Sequence, residues 1–207
     1  MSVIYYSDYS ENVKGEKKMR VDIMVDLETL GTHVDSTIIQ ISAIAFDINT
    51  GAHRYVFNKI ADISKNEDYE MNVDGSTLKW WLTTNKELLA RSIEKGEMSS
   101  SELVEDFGRW LSVVKSMGDL YLWGNGILFD NKMIQYQLGE DLYPIEYKND
   151  RDLRTLVDLA CAKLGITEKE LKNKYYDQSL EPHDAFNDVI NQVNLAVNCY
   201  KELTKKE

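Results

Sequence analysis

Three consecutive β-strand patterns joined by short turns constrain the fold of this chain most strongly. The first, Val21–Asp26, is rich in β-branched residues, the second alternates apolar and polar residues from Thr37 to Phe46, and the third runs from His53 to Ile60. Asn49-Thr50-Gly51 is a turn signal between the second and the third pattern. Strands joined by such short turns pair antiparallel, so we expect an antiparallel sheet of three strands at the start of the fold.

Beyond these strands the hydrophobic pattern becomes mainly helical, with two more strands inserted. The predicted segments are helices starting at Ser76, around 88–93 and over 103–117, a strand at 119–123, a helix at 127–138, a strand at 144–147, and helices at 153–164 and 184–203. This order predicts an α/β fold in which helices flank a mixed five-stranded sheet, and it fits a ribonuclease H-like architecture.

The sequence also indicates how the chain is divided into domains. It has no internal repeat and no linker rich in Pro, Gly or Ser. A chain of 207 residues can bury one full-sized core without disulfides or structural metals. We therefore expect residues 21–207 to form one domain and residues 1–20 to be a flexible N-terminal appendage.

Composition and cysteine usage are typical of a globular protein inside the cell. Hydrophobic residues make up 43% of the chain and charged residues 29%, which excludes disordered and collagen-like classes. No apolar run approaches the length of about 18 residues that a membrane helix needs, and the N-terminus lacks the apolar core of a signal peptide. Cys161 and Cys199 lie in apolar helical patterns, so we expect reduced thiols and a cytoplasmic location without a membrane partner.

The net charge of −11 leaves a nucleic-acid partner open. Affinity for phosphate backbones comes mostly from Lys and Arg, and residues 21–140 carry 19 acidic but only 10 basic side chains. Residues 148–174, in contrast, hold 7 basic and 5 acidic side chains. An acidic site filled by divalent metal ions would also present positive charge to a phosphate, so the sign of the net charge does not decide whether the chain binds nucleic acid.

Asp26 and Glu28 are the first candidates for a chemical role. Strand alternation places both carboxylates on one face at the end of an apolar strand, where they repel each other and lose solvation. A divalent cation with oxygen ligands would stabilise such a pair. Two acids facing water at the rim of the sheet would give the same pattern, and Asp68-Tyr69-Glu70 repeats it within a polar loop.

Two further groups of residues carry comparable signals. Asp130 follows a strand and two glycines and falls on the apolar face of a predicted helix; it is either a metal ligand or an acid favoured by the helix N-terminus. His183 precedes the last helix and Asp188 lies one turn inside it, as a general base beside a fixed metal ligand would require. A histidine at that position is also common on an ordinary surface.

Taken together and in this order, Asp26, Glu28, Asp130, His183 and Asp188 resemble the five residues for which the DEDDh 3′–5′ exonucleases are named. The chain is most similar to the phage exonuclease A and mycobacterial-type exoribonuclease group over residues 21–200. The similarity extends to Ser76–Trp81, to Trp123 and Gly126 ahead of Phe129-Asp130, and to Arg151–Thr155. One difference is Gly126, where many relatives carry Asn four residues before the third carboxylate.

The resemblance implies two-metal phosphodiester hydrolysis with Mg²⁺ or Mn²⁺. It implies that Asp26 bridges both ions, that Glu28 and Asp188 hold the ion carrying the attacking water, that Asp130 supports the second ion, and that His183 takes the proton from that water. The product would be a nucleoside 5′-monophosphate released from a 3′ end.

Relatives hold the terminal nucleotide in the loop after the second carboxylate, which here is Thr29, Leu30 and Gly31. Of the two adjacent tryptophans, we favour Trp81 over Trp80 as a stacking surface for a base. Five basic side chains either follow the phosphate backbone or form a solvated face; they are Lys148, Arg151, Arg154, Lys172 and Lys174.

The expected substrate is single-stranded or 3′-overhang nucleic acid, and the sequence leaves the choice between RNA and DNA open. Relatives often pair, so a homodimer is one expected state. Two alternative functions stay open at this point. One is a catalytically silent nucleic-acid-binding module of the same fold, and the other is a metal-dependent hydrolase of small nucleotides.

Overall fold

The computed structural model of the protein describes residues 19–205, and these form an α/β fold around one mixed sheet. Residues 1–18, most of the N-terminal appendage expected from the sequence, lie outside the described residues. No helix within residues 19–205 is long and apolar enough to cross a membrane.

The sheet has the strand order β3-β2-β1-β4-β5. Its strands are β1 (Arg20–Thr29), β2 (Ile38–Phe46), β3 (His53–Ile60), β4 (Asp119–Gly124) and β5 (Asp150–Asp152). The first three pair antiparallel, as their short connections predict, while β4 and β5 run parallel to β1. The expected mixed five-stranded sheet is therefore confirmed.

Seven helices cover the sheet within the described part of the chain. They are α1 (Gly75–Thr84), α2 (Lys86–Glu94), α3 (Ser100–Lys115), α4 (Asp130–Leu138), α5 (Leu153–Leu164), α6 (Glu168–Tyr175) and α7 (Ala185–Thr204). Side-chain caps define several of their starts. Ser99 and Thr167 accept from the backbone N–H of Glu102 and Glu170 in two capping boxes.

Three elements differ from the sequence prediction. The expected strand at 144–147 is wrong, because the fifth strand is Asp150–Asp152, a polar triplet without apolar alternation. The helix expected from Ile127 begins at Asp130, because residues 125–129 form a loop after β4. Helix α6 was not expected, since its only buried side chain is Leu171.

The two faces of the sheet pack against different helices, and this division positions the site. On β1 the odd-numbered side chains from Val21 to Leu27 enter the core beneath α3 and α4, whereas Met24 packs with α5 and α7. Asp26 and Glu28 share the face of Met24 by strand alternation. The carboxyl ends of the parallel strands β1, β4 and β5 lie at one edge of the sheet, next to the starts of α4 and α5.

Candidate active site

Asp26 and Glu28 lie side by side on the sheet face that α7 covers, as the alternation of β1 predicts. Gln192 of α7 donates a 2.7 Å hydrogen bond from Nε2 to Asp26 Oδ1. Gln192 is 3% exposed, so its hydrogen bond from within the packed face of α7 favours one orientation of the carboxylate. Residue 192 is one helical turn after Asp188, so both side chains project from one face of α7.

Asp188 and His183 come together at the start of α7. Asp184 caps the helix by accepting from the backbone N–H groups of Phe186 and Asn187. Asp188 lies in the first turn, and its Oδ2 accepts from the backbone N–H of His183 at 2.9 Å. His183 has a φ of +64°, a left-handed conformation that turns the chain sharply before the helix.

One ligand atom each from Glu28, His183 and Asp188 lies within 4.8 Å of the other two. Three residues from two distant parts of the sequence therefore converge on a single point. The exposed imidazole of His183 faces two carboxylates that the sheet and α7 hold in place.

Asp130 is the first residue of α4 and is 4% exposed. Its carboxylate lies over Gly124, because a Cβ atom at Gly124 would be 3.2 Å from Asp130 Oδ2 and 2.6 Å from Asn131 Oδ1. The glycine at the end of β4 thus makes room for the buried acid. Asp130 is a first-turn acid of α4 that also lies near Asp26, and its role as a metal ligand stays a prediction.

The four carboxylates repel one another in a buried setting. Burial raises the pKa of Asp26 well above its usual value, and the charges of Asp130 and Asp188 raise it further. Burial, followed by the charges of Asp26 and Asp188, does the same to the pKa of Glu28. Burial raises the pKa of Asp130 to about 7 and also raises that of Asp188.

Hard divalent cations fit this set of side chains. Carboxylate oxygens are the preferred ligands of Mg²⁺ and Mn²⁺, and positive charge would relieve the repulsion that raises the four pKa values. Asp26, Glu28, Asp130 and Asp188 are the residues that could hold such ions.

An open cleft of about 420 Å³ adjoins Glu28 and His183. Its lining includes Thr29, Gly31 and Trp81, three of the four residues expected from the sequence to bind the terminal nucleotide. The fourth, Leu30, is 3% exposed and packs behind the cleft in a small apolar cluster.

The two tryptophans of α1 occupy different environments. Trp81 is 2% exposed and donates from its indole N–H to the carbonyl of Thr29 at 2.9 Å, so it supports the loop and has little free surface. Trp80 is 37% exposed, and its ring centroid lies 4.9 Å from that of His183 in an edge-to-face contact. The surface available to a base is that of Trp80, not the expected Trp81.

Two residues missed in the sequence also adjoin the site. Gln192, the partner of Asp26, could have been found from its spacing of four residues after Asp188. Tyr176 carried no recognisable signal; burial and the nearby charges of Asp188 and Asp26 raise its pKa to about 12. The backbone N–H of the next residue, Asp177, donates to Asn191 of α7 at 2.8 Å, which holds Tyr176 near Asp188.

Four of the five basic candidates already have partners in the described chain. Lys148 pairs with Glu146 at 2.8 Å, and Lys172 pairs with Glu168 at 2.6 Å. Arg151 donates to two backbone carbonyls at 2.8 Å each, and the ammonium group of Lys174 lies 4.9 Å from the ring centroid of Tyr175.

The mixed sheet has a ribonuclease H-like fold, and the acidic cluster with the histidine before the last helix lies at one edge of it. The family model of the 3′–5′ exoribonuclease Rv2179c-like domain matches residues 21–200, and the chain belongs to this family. A search of curated proteins finds no match.

Several solved structures share the fold of this chain. The nuclease domain of 3′hExo, a DEDDh family member bound to rAMP, is 14% identical with a TM-score of 0.55, over 87% of this chain and 92% of that one. The zinc-bound E. coli ExoI–ssDNA complex is 15% identical with a TM-score of 0.56, over 91% of this chain. Exonuclease I from Methylocaldum szegediense is 17% identical with a TM-score of 0.58, over 87% of this chain. This chain spans about two fifths of each of these two exonuclease I chains, 40% and 41%.

Proposed function

We propose that the protein removes nucleotides one at a time from the 3′ end of single-stranded nucleic acid and releases nucleoside 5′-monophosphates. The observation that carries this proposal is the convergence of Glu28, Asp188 and His183 within 4.8 Å, beside the 420 Å³ cleft that Glu28 and His183 line. A substrate end placed in the cleft would meet the carboxylates and the imidazole together.

The side chains of this site would have two roles, since the carboxylates would bind ions and the histidine would accept a proton. Asp26, Glu28, Asp130 and Asp188 would hold two ions of Mg²⁺ or Mn²⁺, which when bound supply Lewis acidity toward a water molecule and the phosphodiester. His183 would accept a proton from a water molecule there; its exposure and its position opposite Glu28 and Asp188 support this role. Imidazole is suited to this step because it exchanges protons near neutral pH.

Trp80 extends the site toward the substrate. Its partly exposed ring forms one wall of the cleft and also contacts His183, so a base stacked on it would lie beside the catalytic histidine. The loop of Thr29 and Gly31 forms the adjoining wall.

RNA is the substrate that the family name favours, and ssDNA is bound by the similar E. coli ExoI. The test uses RNA and DNA oligonucleotides labelled at the 5′ end, both single-stranded and with a 3′ overhang, incubated with Mg²⁺ or Mn²⁺ and with EDTA as control. We expect a ladder that shortens from the 3′ end, only with metal, and faster on RNA.

A free nucleoside triphosphate in a parallel reaction separates the proposal from hydrolysis of small nucleotides. Cleavage of the free nucleotide with both oligonucleotides intact would contradict the exonuclease. Binding of oligonucleotide without cleavage under any metal condition would instead support the silent module.

A further inference from the structure

Arg154 lies at the edge of the sheet where the candidate site is built. It is the second residue of α5, directly after β5, and Asp152 holds this helix start. Asp152 Oδ1 accepts from the backbone N–H of Arg154 at 2.8 Å, while its Oδ2 accepts from that of Ile127 at 3.3 Å. One carboxylate therefore ties the start of α5 to the loop that precedes Asp130.

The guanidinium group of Arg154 lies directly over the backbone of Gly126. A Cβ atom at Gly126 would be 3.1 Å from Arg154 Cζ and 3.3 Å from each terminal nitrogen, so the arginine fills the space of a side chain at that position. Gly124, two residues earlier, lies under the carboxylate of Asp130 in the same way. Because two residues span at most about 7 Å, the guanidinium and this carboxylate cover neighbouring points of the backbone at the end of β4.

The guanidinium has no hydrogen bond and no ion pair within residues 19–205, and Arg154 is exposed. The other basic candidates of this region have partners, as described above. The positive charge of Arg154 nevertheless acts on the site, because it opposes the rise that burial causes in the pKa of Asp130.

We propose that Arg154 binds a backbone phosphate of the nucleic-acid strand at the carboxylate cluster, an inference that rests on the proposed exonuclease function. A phosphodiester approaching four carboxylates needs cationic groups, and an unpaired guanidinium offers a planar pair of N–H donors that matches phosphate oxygens. Gly126 is part of this arrangement, since it leaves the guanidinium room beside the loop.

The test measures binding separately from hydrolysis. The affinity of a 5′-fluorescein-labelled single-stranded oligonucleotide is followed by fluorescence anisotropy in EDTA across a salt series, for the wild type, Arg154→Gln, Arg154→Lys and Arg109→Gln. Arg109, on α3, pairs with Asp106 at 3.2 Å, so its variant removes the same charge away from the site. Thermal unfolding of each variant checks the fold.

We expect Arg154→Gln to weaken binding about tenfold, in line with one phosphate contact, and to flatten the slope of log K against log salt by about 0.7. Arg154→Lys should keep the slope and recover part of the affinity, and Arg109→Gln should match the wild type. If Arg154→Gln does not fold, a loss of affinity in Arg154→Lys without a change in slope supports the proposal.

Equal affinity and slope for the wild type and both Arg154 variants would overturn the phosphate contact. The exonuclease proposal would then be tested by the cleavage ladder alone. If the wild type cleaves nothing but Arg154→Gln loses binding and slope, the contact holds and the exonuclease proposal fails. A wild type that does not bind the oligonucleotide would overturn the contact.

Discussion

At the scale of single residues, the candidate site is a set of carboxylates held close enough to repel one another. Asp130 is 4% exposed and Glu28 is 8% exposed, yet both belong to one group of carboxylates. A protein retains such an arrangement at the expense of its own stability in the absence of cations. If the proposed metal site is correct, this repulsion should be measurable as lower stability of the metal-free protein.

The metal-free protein should lose stability as the pH rises. The pKa of Asp130 goes from 3.8 to about 7 on folding, and the pKa values of Asp26 and Glu28 are also raised. Groups with raised pKa values favour the folded state below the unfolded pKa, and this advantage is lost as pH rises through the folded value. The melting temperature in EDTA should therefore fall between about pH 4 and pH 7.

Two comparisons isolate the cause of this pH dependence. Saturating Mn²⁺ should raise the melting temperature most at the upper end of that range, since ions that bind only the folded state stabilise it. Asp130→Asn should flatten the fall in EDTA and raise the melting temperature at neutral pH. A melting temperature in EDTA that rises steadily over this pH range would show that ionisation of these carboxylates does not destabilise the folded protein.

Gln192 should act on metal affinity through Asp26. Gln192→Leu removes the 2.7 Å hydrogen bond that orients this carboxylate. Loss of a partner that positions a ligand weakens metal binding by about 10- to 100-fold. Calorimetric titration with Mn²⁺ measures the change, with Asn194→Ala as the control because Asn194 is exposed on the same helix. Identical Mn²⁺ affinities of the two variants would contradict this positioning role.

The adjacent tryptophans should separate binding from stability. Trp80→Ala should weaken oligonucleotide binding about tenfold, because stacking contributes roughly 1–3 kcal/mol per base, and should change the melting temperature little. Trp81→Ala should instead lower the free energy of unfolding by about 3–5 kcal/mol, as for other buried aromatic truncations. Leu82→Ala, at an exposed position of α1, is the control for both assays. If Trp80→Ala lowers stability and Trp81→Ala weakens binding, the roles given to the two tryptophans are wrong.

At the scale of elements, the site depends on how the loops after the parallel strands are packed. Sequence patterns predicted α5 and β3 with their observed bounds, because capping residues, turns and apolar periodicity all mark them. The same patterns misplaced the fifth strand, since Asp150–Asp152 is only three residues long and polar. Its pairing with β4 is a tertiary property that local periodicity does not encode.

The carboxylates singled out in the sequence lie near one another in the structure, and their catalytic roles stay predictions. The carboxylates are visible because a charged residue at the end of an apolar strand conflicts with its environment. Trp80 and Trp81 are chemically identical and adjacent, so only the packing of α1 distinguishes the exposed ring from the buried one. Arg154 and Gly126 are 28 positions apart, and no spacing rule connects them.

Gly124 should be essential for the geometry of α4. In Gly124→Ala the new Cβ would approach Asn131 Oδ1 to 2.6 Å, so α4 and its first residue Asp130 must shift. We expect reduced Mn²⁺ affinity and a melting temperature lowered by several degrees. Gly75→Ala is the matched control, because a Cβ there meets nothing within 4 Å. If calorimetry finds equal Mn²⁺ affinity for Gly124→Ala and Gly75→Ala, Gly124 does not determine the geometry of the metal site.

At the scale of the whole molecule, an acidic chain is expected to bind an acidic polymer. The net charge of −11 opposes that association, and under the proposed function the substrate must approach the carboxylate cluster. Divalent ions bound at the cluster would reverse the local sign, and Arg154 would add a further positive charge at the same edge. Substrate binding should thus be tighter with metal than without.

The central claim is that this cluster is the centre of a metal-dependent 3′–5′ exonuclease. The most direct measurement is the digestion of a 5′-labelled RNA by the wild type and by Asp188→Asn in Mn²⁺, with the released products separated by chromatography. Nucleoside 5′-monophosphates and a ladder shortening from the 3′ end, both abolished in EDTA and reduced at least about 100-fold in Asp188→Asn, are the predicted result. Intact RNA with the wild type, or equal digestion by Asp188→Asn, would contradict the account.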